Sequence, residues 1–352
     1  MDKQRLDFFK ELLNTPSPSG SELPAAKVWR SRVGEKVENI TSDPHGNSIA
    51  VLNPEADFKF MLAGHIDEIG LMITYIDDDG FLYTGQVGGM DPALLVGQRV
   101  RILTENGEVT GVIGRKAIHQ MKPDERKKNV EMENIWVDIG ADGKKDAEKI
   151  VSVGDPMVVD VNCRELTDDK ITSRGTDDKA GAFVVAEIMR ELADRDLNIC
   201  VAGVATVQEE LGIRGARTSA FSVNPDAGIA FDVNFSSDHP ETDKKKLGEL
   251  KLGEGPNIQR GPNMNPILNK CLFETAKKHD IKYQVTSAPR ATGTDANAIQ
   301  VNRGSVATGL IGIPNRYMHT PVEIVSLKDI ENVVRLVTEF LAEHPANRDY
   351  RL

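Results

Sequence analysis

The sequence has little of what several classes of protein require. Its three cysteines are far apart among 352 residues and form no CxxC pair, which argues against a zinc ribbon or a disulfide framework. Aromatic residues make up only 5% of the chain, with two tryptophans, whereas sugar-binding clefts are rich in aromatics. The formal net charge is −11, so the chain lacks the basic surplus with which nucleic-acid binders displace counterions from phosphates.

Long apolar runs are also absent. No stretch approaches the roughly 18 apolar residues that cross a bilayer. The first twenty residues have neither a basic n-region nor an uninterrupted apolar segment, so they do not resemble a signal peptide. From these absences we predict a cytoplasmic protein. The hydrophobic content of 39% and charged content of 28% are ordinary for a globular chain.

The periodicity of the chain changes twice along its length. In residues 1–70 and 162–352, helical segments alternate with short apolar runs, which is typical of an open α/β sheet. In residues 71–161, alternating runs such as GLMITYI and QRVRILT are separated by Gly, Asp and Asn turns. We therefore predict an α/β domain interrupted by a small all-β domain, PDZ-like or a barrel. A helix is expected from about Glu22 to Val33, and another whose N-cap is Ser326.

Carboxylates and imidazoles stand at the ends of the apolar, strand-like runs. In open α/β sheets, functional side chains gather at the carboxyl ends of the strands, so distant residues meet there. Carboxylate oxygens and imidazole nitrogens are ligands that zinc, cobalt and manganese all accept. The candidate metal ligands are His65, Asp177, Glu210, Asp232 and His319.

Three further acids stand beside these candidates. Glu209 precedes Glu210, and adjacent side chains of an extended segment face opposite ways, so one acid can move a proton while the other binds metal. Asp67 lies two positions after His65, on the same side of an extended segment, where it can orient the imidazole. Asp178 stands just before a predicted helix, and capping that helix is its default role.

Taken singly, each candidate also has an ordinary structural explanation. A histidine at a strand end caps a turn, acids cap helices, and no HExxH or CxxC motif anchors the site. Asp232 is less easily explained, because it ends an apolar run that would bury an unpaired carboxylate at considerable cost.

Eight segments in order along nearly the whole chain carry a more specific signal. They are SPSGSE (17–22), GHIDEIG (64–70), VDIGA (137–141), RGTDDKAG (174–181), VQEELGIRGA (207–216), FDVN (231–234), GTDANAI (293–299) and RYMHTPVE (316–323). Together they resemble the TET-type (tetrahedral) dinuclear-metal aminopeptidases, which include glutamyl and leucyl aminopeptidases and relatives sometimes labelled endoglucanases. One departure is the pair Gly175-Thr176, where a more apolar pair is expected.

The resemblance implies an open mixed-sheet catalytic domain and a role for each candidate around two divalent metal ions per subunit. Zinc or cobalt is the first choice of metal, with manganese as an alternative. Asp177 would bridge the two ions. His65 and Asp232 would complete the ligands of one ion, and Glu210 and His319 those of the other.

The resemblance also implies the reaction and the assembly. The reaction would be metal-dependent removal of N-terminal residues from short peptides, with Glu209 as general base and Asp67 orienting the site. The β domain of residues 71–161 would mediate dimerisation, and dimers would assemble into a large homo-oligomer such as a dodecamer. The preferred first residue stays open, with Arg290 and the segment His119-Gln120 as candidates for the substrate pocket. A solvated loop arginine is the other explanation of Arg290.

Three other functions fit part of the pattern. A deacylase or deblocking hydrolase would use the same site on a different amide. A glycoside hydrolase, following the endoglucanase label, would need no metal and would leave the histidines unexplained. An inert metal-bound scaffold would be expected to have lost the general base, whereas Glu209 is present.

Overall fold

The computed structural model describes residues 1–167 and 169–352. In this part of the chain, an α/β body is built around a ten-stranded mixed sheet, and a closed six-stranded antiparallel barrel is inserted into it. The predicted fold class is confirmed, and the inserted domain is a barrel. None of the helices described is both long enough and apolar enough to cross a bilayer.

Strands and helices are numbered here in chain order. The strands of the α/β body are β1 (Ile40–Ser42), β2 (Ser48–Leu52), β3 (Lys59–His65), β10 (Arg164–Glu165), β11 (Lys170–Ser173), β12 (Cys200–Thr206), β13 (Ala227–Phe235), β14 (Asn257–Ile258), β15 (Ala307–Arg316) and β16 (Glu323–Ser326). The strands of the barrel are β4 (Gly70–Ile76), β5 (Leu82–Val87), β6 (Arg99–Thr104), β7 (Gly107–Arg115), β8 (Ile135–Asp138) and β9 (Pro156–Val159). The helices are α1 (Lys3–Asn14), α2 (Leu23–Gly34), α3 (Lys144–Ala147), α4 (Thr176–Leu192), α5 (Arg214–Val223), α6 (Lys244–Leu247), α7 (Pro266–Lys278), α8 (Asp295–Gln300) and α9 (Leu327–Ala342).

Parallel strands form the centre of the large sheet, in the order β12, β3, β13 and β15. Antiparallel strands flank them, with β2 beside β12 and β16 beside β15. Parallel strands covered on both faces are apolar throughout, and β12, with the sequence CVAGVAT, is buried along its whole length. Since these strands run in one direction, their carboxyl ends meet at one edge of the sheet.

Helices cover both faces of this sheet. Helices α1, α2, α4 and α9 share a core with one face, and α5 and α8 share a smaller core with the other. The start of α4 lies directly against the end of β3, since a Cβ atom on Gly64 would come within 2.4 Å of the carbonyl carbon of Gly181. Trp29 of α2 donates its indole N–H to the carbonyl oxygen of Ala182 over 2.8 Å. These contacts fix the N-terminus of α4 at the edge where the central strands end.

The barrel closes in the strand order β4, β5, β8, β7, β6 and β9. Its interior is filled by buried apolar side chains that alternate along the strands, such as Leu71 and Ile73 on β4 and Val100 and Ile102 on β6. The strands of the barrel run from Gly70 to Val159.

Two helices agree with the sequence predictions. The helix expected from Glu22 to Val33 is α2, and Ser326 caps α9 by accepting a hydrogen bond from the N–H of Asp329. Helix α5 was not predicted, because Gly215 suggested a loop. This glycine instead serves close packing, since a Cβ atom there would lie 2.3 Å from the carbonyl oxygen of Val207.

Candidate metal centre and active site

Four of the five candidate ligands lie near or just after the carboxyl ends of central parallel strands, and the fifth, Asp177, lies at the start of α4. His65 is the last residue of β3, and Asp232 lies near the end of β13. Glu210 follows β12 in the loop before α5, and His319 lies in the loop between β15 and β16. The parallel pairing of these strands therefore brings together residues that are far apart in the sequence.

Asp177 lies between the two histidines. Its Oδ1 atom is 3.1 Å from Nε2 of His65, and its Oδ2 atom is 3.2 Å from Nε2 of His319. Glu210 Oε1 is 3.5 Å from the same nitrogen of His319. Burial raises the pKa of Asp177, but the hydrogen bonds to His319 and His65 lower it below its ordinary value. The hydrogen bond to Asp177 raises the pKa of His319 to about 9. In this structure, the imidazoles supply positive charge to the carboxylates.

Two groups of possible ligand atoms share His65. Donor atoms of His65, Asp177 and Glu210 all lie within 4.8 Å of one another, and so do those of His65, Asp178 and Asp232. Asp178 has the expected capping contact, since its Oδ1 accepts the N–H of Gly181 at 2.9 Å. It also faces the site, a role that the helix-capping pattern does not predict. The one signal for this second role was its position next to Asp177.

Asp67 is fully buried and holds three parts of the site together. Its carboxylate accepts the backbone N–H groups of Glu209 at 3.0 Å and Glu210 at 3.1 Å, and the hydroxyl of Ser19 at 2.5 Å. Nδ1 of His65 lies 3.1 Å from the carbonyl oxygen of Asp67, and 3.5 Å from its carboxylate. When Nδ1–H donates to that carbonyl, Nε2 is free to bind a metal ion. Asp67 therefore orients the loop after β12 as well as the imidazole.

Glu209 lines the cavity, and its side chain has no hydrogen-bond partner among the described residues. Its Oε1 atom is buried and unbonded among the described residues, and its Oε2 atom is 3.9 Å from Nε2 of His65. Burial raises the pKa of Glu209 to about 10. Nearby positive charge would lower that pKa and ionise the side chain.

The site as a whole is rich in buried acid. Burial raises the pKa of Glu210 to about 7, and raises those of Asp178 and Asp232 well above their ordinary value. In the described part of the chain, no lysine or arginine nitrogen lies within 4.0 Å of these carboxylates or of Asp177 and Glu209. Buried carboxylates need compensating cations, and hard oxygen and nitrogen donors suit divalent metals. The residues therefore fit a metal centre.

Two buried acids close to the site had no predicted role. Glu323 begins β16 and accepts backbone N–H groups from both Asp177 and His319. Burial, and next the charge of Asp177, raises the pKa of Glu323 to about 8. Asp295 begins α8 and accepts the hydroxyl of Thr206 at 2.5 Å, and burial raises its pKa to about 6. Both lie in segments that carried the family resemblance, RYMHTPVE and GTDANAI, but neither stands at a strand end.

A cavity of about 350 Å³ opens onto the candidate residues. Its other walls are uncharged and consist of Val233, Asn234, Phe235, Gln259, Thr292, Gly293, Thr294 and Met318. Arg290 is exposed and lies outside this lining, as do His119 and Gln120 of the inserted domain. Among the described residues, the pocket therefore carries no lysine or arginine side chain that would select acidic residues.

An α/β body with a buried cluster of carboxylates and imidazoles at its strand ends, open to a cavity, has the architecture of a metal-dependent hydrolase. Comparison with known proteins places the chain more narrowly. Residues 46–336 match the family model described as M42 glutamyl aminopeptidase, and the chain belongs to this family. It is therefore a hydrolase of the aminopeptidase class, as predicted.

Individual relatives agree with this assignment. The lysyl aminopeptidase of Pyrococcus furiosus is 36% identical over 96% of both chains. The structure of a TET aminopeptidase from a marine sediment archaeon, Thaumarchaeota archaeon SCGC AB-539-E09, has a TM-score of 0.93 at 33% identity, over 97% of both chains. The TET1 peptidase of Pyrococcus horikoshii, which can assemble into a tetrahedron or a large octahedral shell, has a TM-score of 0.86 at 30% identity, over 97% of this chain and 100% of that one.

The endoglucanase label occurs among the similar structures, as expected. A Thermotoga maritima structure with that name has a TM-score of 0.76 at 27% identity, over 95% of this chain and 96% of that one. The predicted resemblance to TET-type aminopeptidases is confirmed.

Proposed function

We propose that this aminopeptidase works with two divalent metal ions and uses Glu209 as its general base. The observation that carries the proposal is the position of Asp177, whose two oxygens face imidazoles from two different strand ends. Such a carboxylate suits a bridging ligand. His65 and Asp232 would complete one set of ligands, with Asp178 beside them.

Glu210 and His319 would complete the other set of ligands. Two ions held by these two sets of ligands would lower the pKa of a water molecule and polarise the scissile carbonyl group. Glu209 would take the proton from that water and pass it to the leaving amine. Its unbonded oxygen in the cavity supports this role, since a base held by other hydrogen bonds would be less available.

A free amino terminus would be recognised inside this cavity. One of the metal ions, or an acid that lines the cavity, would bind the free α-amino group of the substrate. The remaining walls are neutral, so we propose a preference for short peptides whose first side chain is uncharged.

Assembly through the barrel is also proposed, with residues 71–161 as the dimerisation domain of a dodecamer. Its support is the family relationship together with exposed apolar side chains on this domain, among them Val112 and Ile118, whose exposed fractions are 47% and 61%. Light scattering after gel filtration should give the mass of a dodecamer, and Ile118→Asp should lower it. A monomeric wild-type protein would contradict the proposal.

The metal-dependent activity has a direct test. Protein stripped of metal and then reloaded with zinc, cobalt or manganese is incubated with a panel of peptides that differ in the first residue. N-acetylated copies of the same peptides serve as controls. Release of free amino acids from unblocked peptides alone, and only after reloading, supports the proposal. Cleavage of the acetylated copies would favour the deblocking hydrolase.

The remaining alternatives have less support. A glycoside hydrolase is disfavoured by the family assignment and by the cavity lining, in which Phe235 is the one Phe, Tyr or Trp among the described residues. An inert scaffold is disfavoured by the retention of Glu209 with a free oxygen. If the metal-bound protein cleaved no peptide of the panel, this result would support the inert scaffold.

A further inference from the structure

Glu323 connects two of the proposed ligands through one carboxylate. It is 1% exposed and begins β16, four residues after His319. Its Oε1 atom accepts the backbone N–H of His319 at 2.9 Å. Its Oε2 atom accepts the backbone N–H of Asp177 at 3.1 Å and the hydroxyl of Thr176 at 2.7 Å.

The three groups that contact the Glu323 carboxylate are all hydrogen-bond donors. The amide nitrogen of Asn315 donates to the hydroxyl oxygen of Thr176 at 2.9 Å, so the hydroxyl proton is directed to Glu323. Both carboxylate oxygens therefore accept, and an amide NH₂ group in place of either oxygen would meet an N–H or O–H donor.

The loop that carries His319 needs such an anchor. Between the end of β15 and Glu323, both Tyr317 and His319 have left-handed backbone conformations, with φ of +65° and +61°. Residues with a Cβ atom rarely adopt this conformation unless their surroundings hold them in it. The hydrogen bond from His319 to Glu323 closes the loop at that residue.

We propose that Glu323 is a positioning residue that sets the spacing between Asp177 and His319, and so makes the ligand set of Glu210 and His319 competent to bind its ion. The inference rests on the proposed two-ion function. Outer residues that orient metal ligands typically contribute 10- to 100-fold in metal affinity or activity.

Glu323→Gln is the principal test. Glutamine keeps the size of the side chain but turns one oxygen into an NH₂ group, which must then face a donor. Glu187→Gln is the matched control, since Glu187 is also a buried glutamate, on α4, but it pairs with Arg5 and Arg32 away from the site. Thr176→Val serves as a milder second variant, because it removes one of the three donors at nearly constant volume. Circular dichroism checks that each variant is folded.

Metal-free proteins are titrated with zinc alone, by calorimetry with a competing chelator, and kcat and KM are measured on an unblocked peptide. In Glu323→Gln, the affinity of one zinc site should be unchanged and that of the other about 10- to 100-fold weaker. The kcat value should fall at low zinc and recover partly in excess zinc, and KM should stay nearly unchanged. Thr176→Val should weaken zinc binding in the same way but by a smaller factor. If Glu323→Gln does not fold, the zinc affinity of Thr176→Val tests the positioning role.

The outcomes separate this inference from the proposed function. Zinc titrations of Glu323→Gln or Thr176→Val that match those of Glu187→Gln would overturn the positioning role, while a wild-type protein that binds two zinc ions would keep the proposed function. A wild-type protein that binds fewer than two zinc ions, or cleaves without them, would overturn both.

Discussion

Replacing Glu209 with glutamine should separate catalysis from stability. The substitution preserves shape and removes no hydrogen bond, because Oε1 has no partner among the described residues and Oε2 is 3.9 Å from the nearest imidazole nitrogen. With its pKa raised to about 10 by burial, the side chain is neutral at pH 7 in the metal-free protein. Glutamine therefore replaces one neutral group with another, and the free energy of unfolding should change by less than about 0.5 kcal/mol.

The effect on turnover should be much larger. General acid–base catalysis typically contributes a factor of about 10²–10⁴, which corresponds to about 2.7–5.5 kcal/mol in the activation barrier. We therefore expect kcat of Glu209→Gln to fall at least about a hundredfold, with zinc content unchanged. The assays are hydrolysis of an unblocked aminoacyl p-nitroanilide, elemental analysis of bound metal, and urea unfolding of the metal-free protein.

Glu210→Gln is the matched comparison for this experiment. It changes the neighbouring carboxylate, whose Oε1 faces His319, and it should lower metal affinity together with activity. Near-normal turnover of Glu209→Gln with full metal content would refute the assignment of the base. Loss of metal from Glu209→Gln would identify that residue as a ligand instead.

Three other predictions concern metal content and stability. Asp177→Asn should reduce the zinc bound per chain from two ions to at most one, and elemental analysis finding two would refute its bridging role. Glu68→Ala should destabilise the protein by about 3–5 kcal/mol in urea unfolding, because Arg174 and Lys179 would remain buried without the carboxylate that pairs with both, and a loss below about 1 kcal/mol would contradict this. Burial lowers the pKa of His344 to about 4, so its contribution to stability is fully present above pH 6.5 and is lost as the pH falls towards 4. The loss amounts to about 3 kcal/mol in the free energy of unfolding. For His344→Phe, this free energy should depend less on pH in this range, and an unchanged dependence would exclude His344 as its source.

The proposed ligands were accessible from the sequence because they stand at strand ends. His65 and Asp232 end apolar runs, and in a parallel sheet the ends of neighbouring strands lie side by side. Alternation of short apolar runs likewise indicated the β domain between the two halves of the α/β body. These signals are local, because they depend on the spacing of apolar residues and on the turn residues between the runs, both of which can be read directly from a sequence.

Other residues of the site carry no such signal. Asp178 looked like a helix cap, and it does cap α4, but the position of α4 against β3 also directs it towards His65. Thr176 departs from the apolar residue expected there, and its hydroxyl is used by Glu323. Both outcomes depend on which elements pack together, and side-chain periodicity does not contain that information.

The sequence by itself determined the fold class, the inserted β domain and the acids and histidines available for chemistry, because apolar periodicity and strand-end position are properties of short segments. Only the tertiary structure decided that Asp177 lies between two imidazoles, that Asp67 holds the loop of Glu209, and that Glu323 joins the two elements that carry Asp177 and His319. The physical reason is that these contacts join residues from separate strands and helices. Their distances are fixed only when the sheet register and the close packing of α4 are in place.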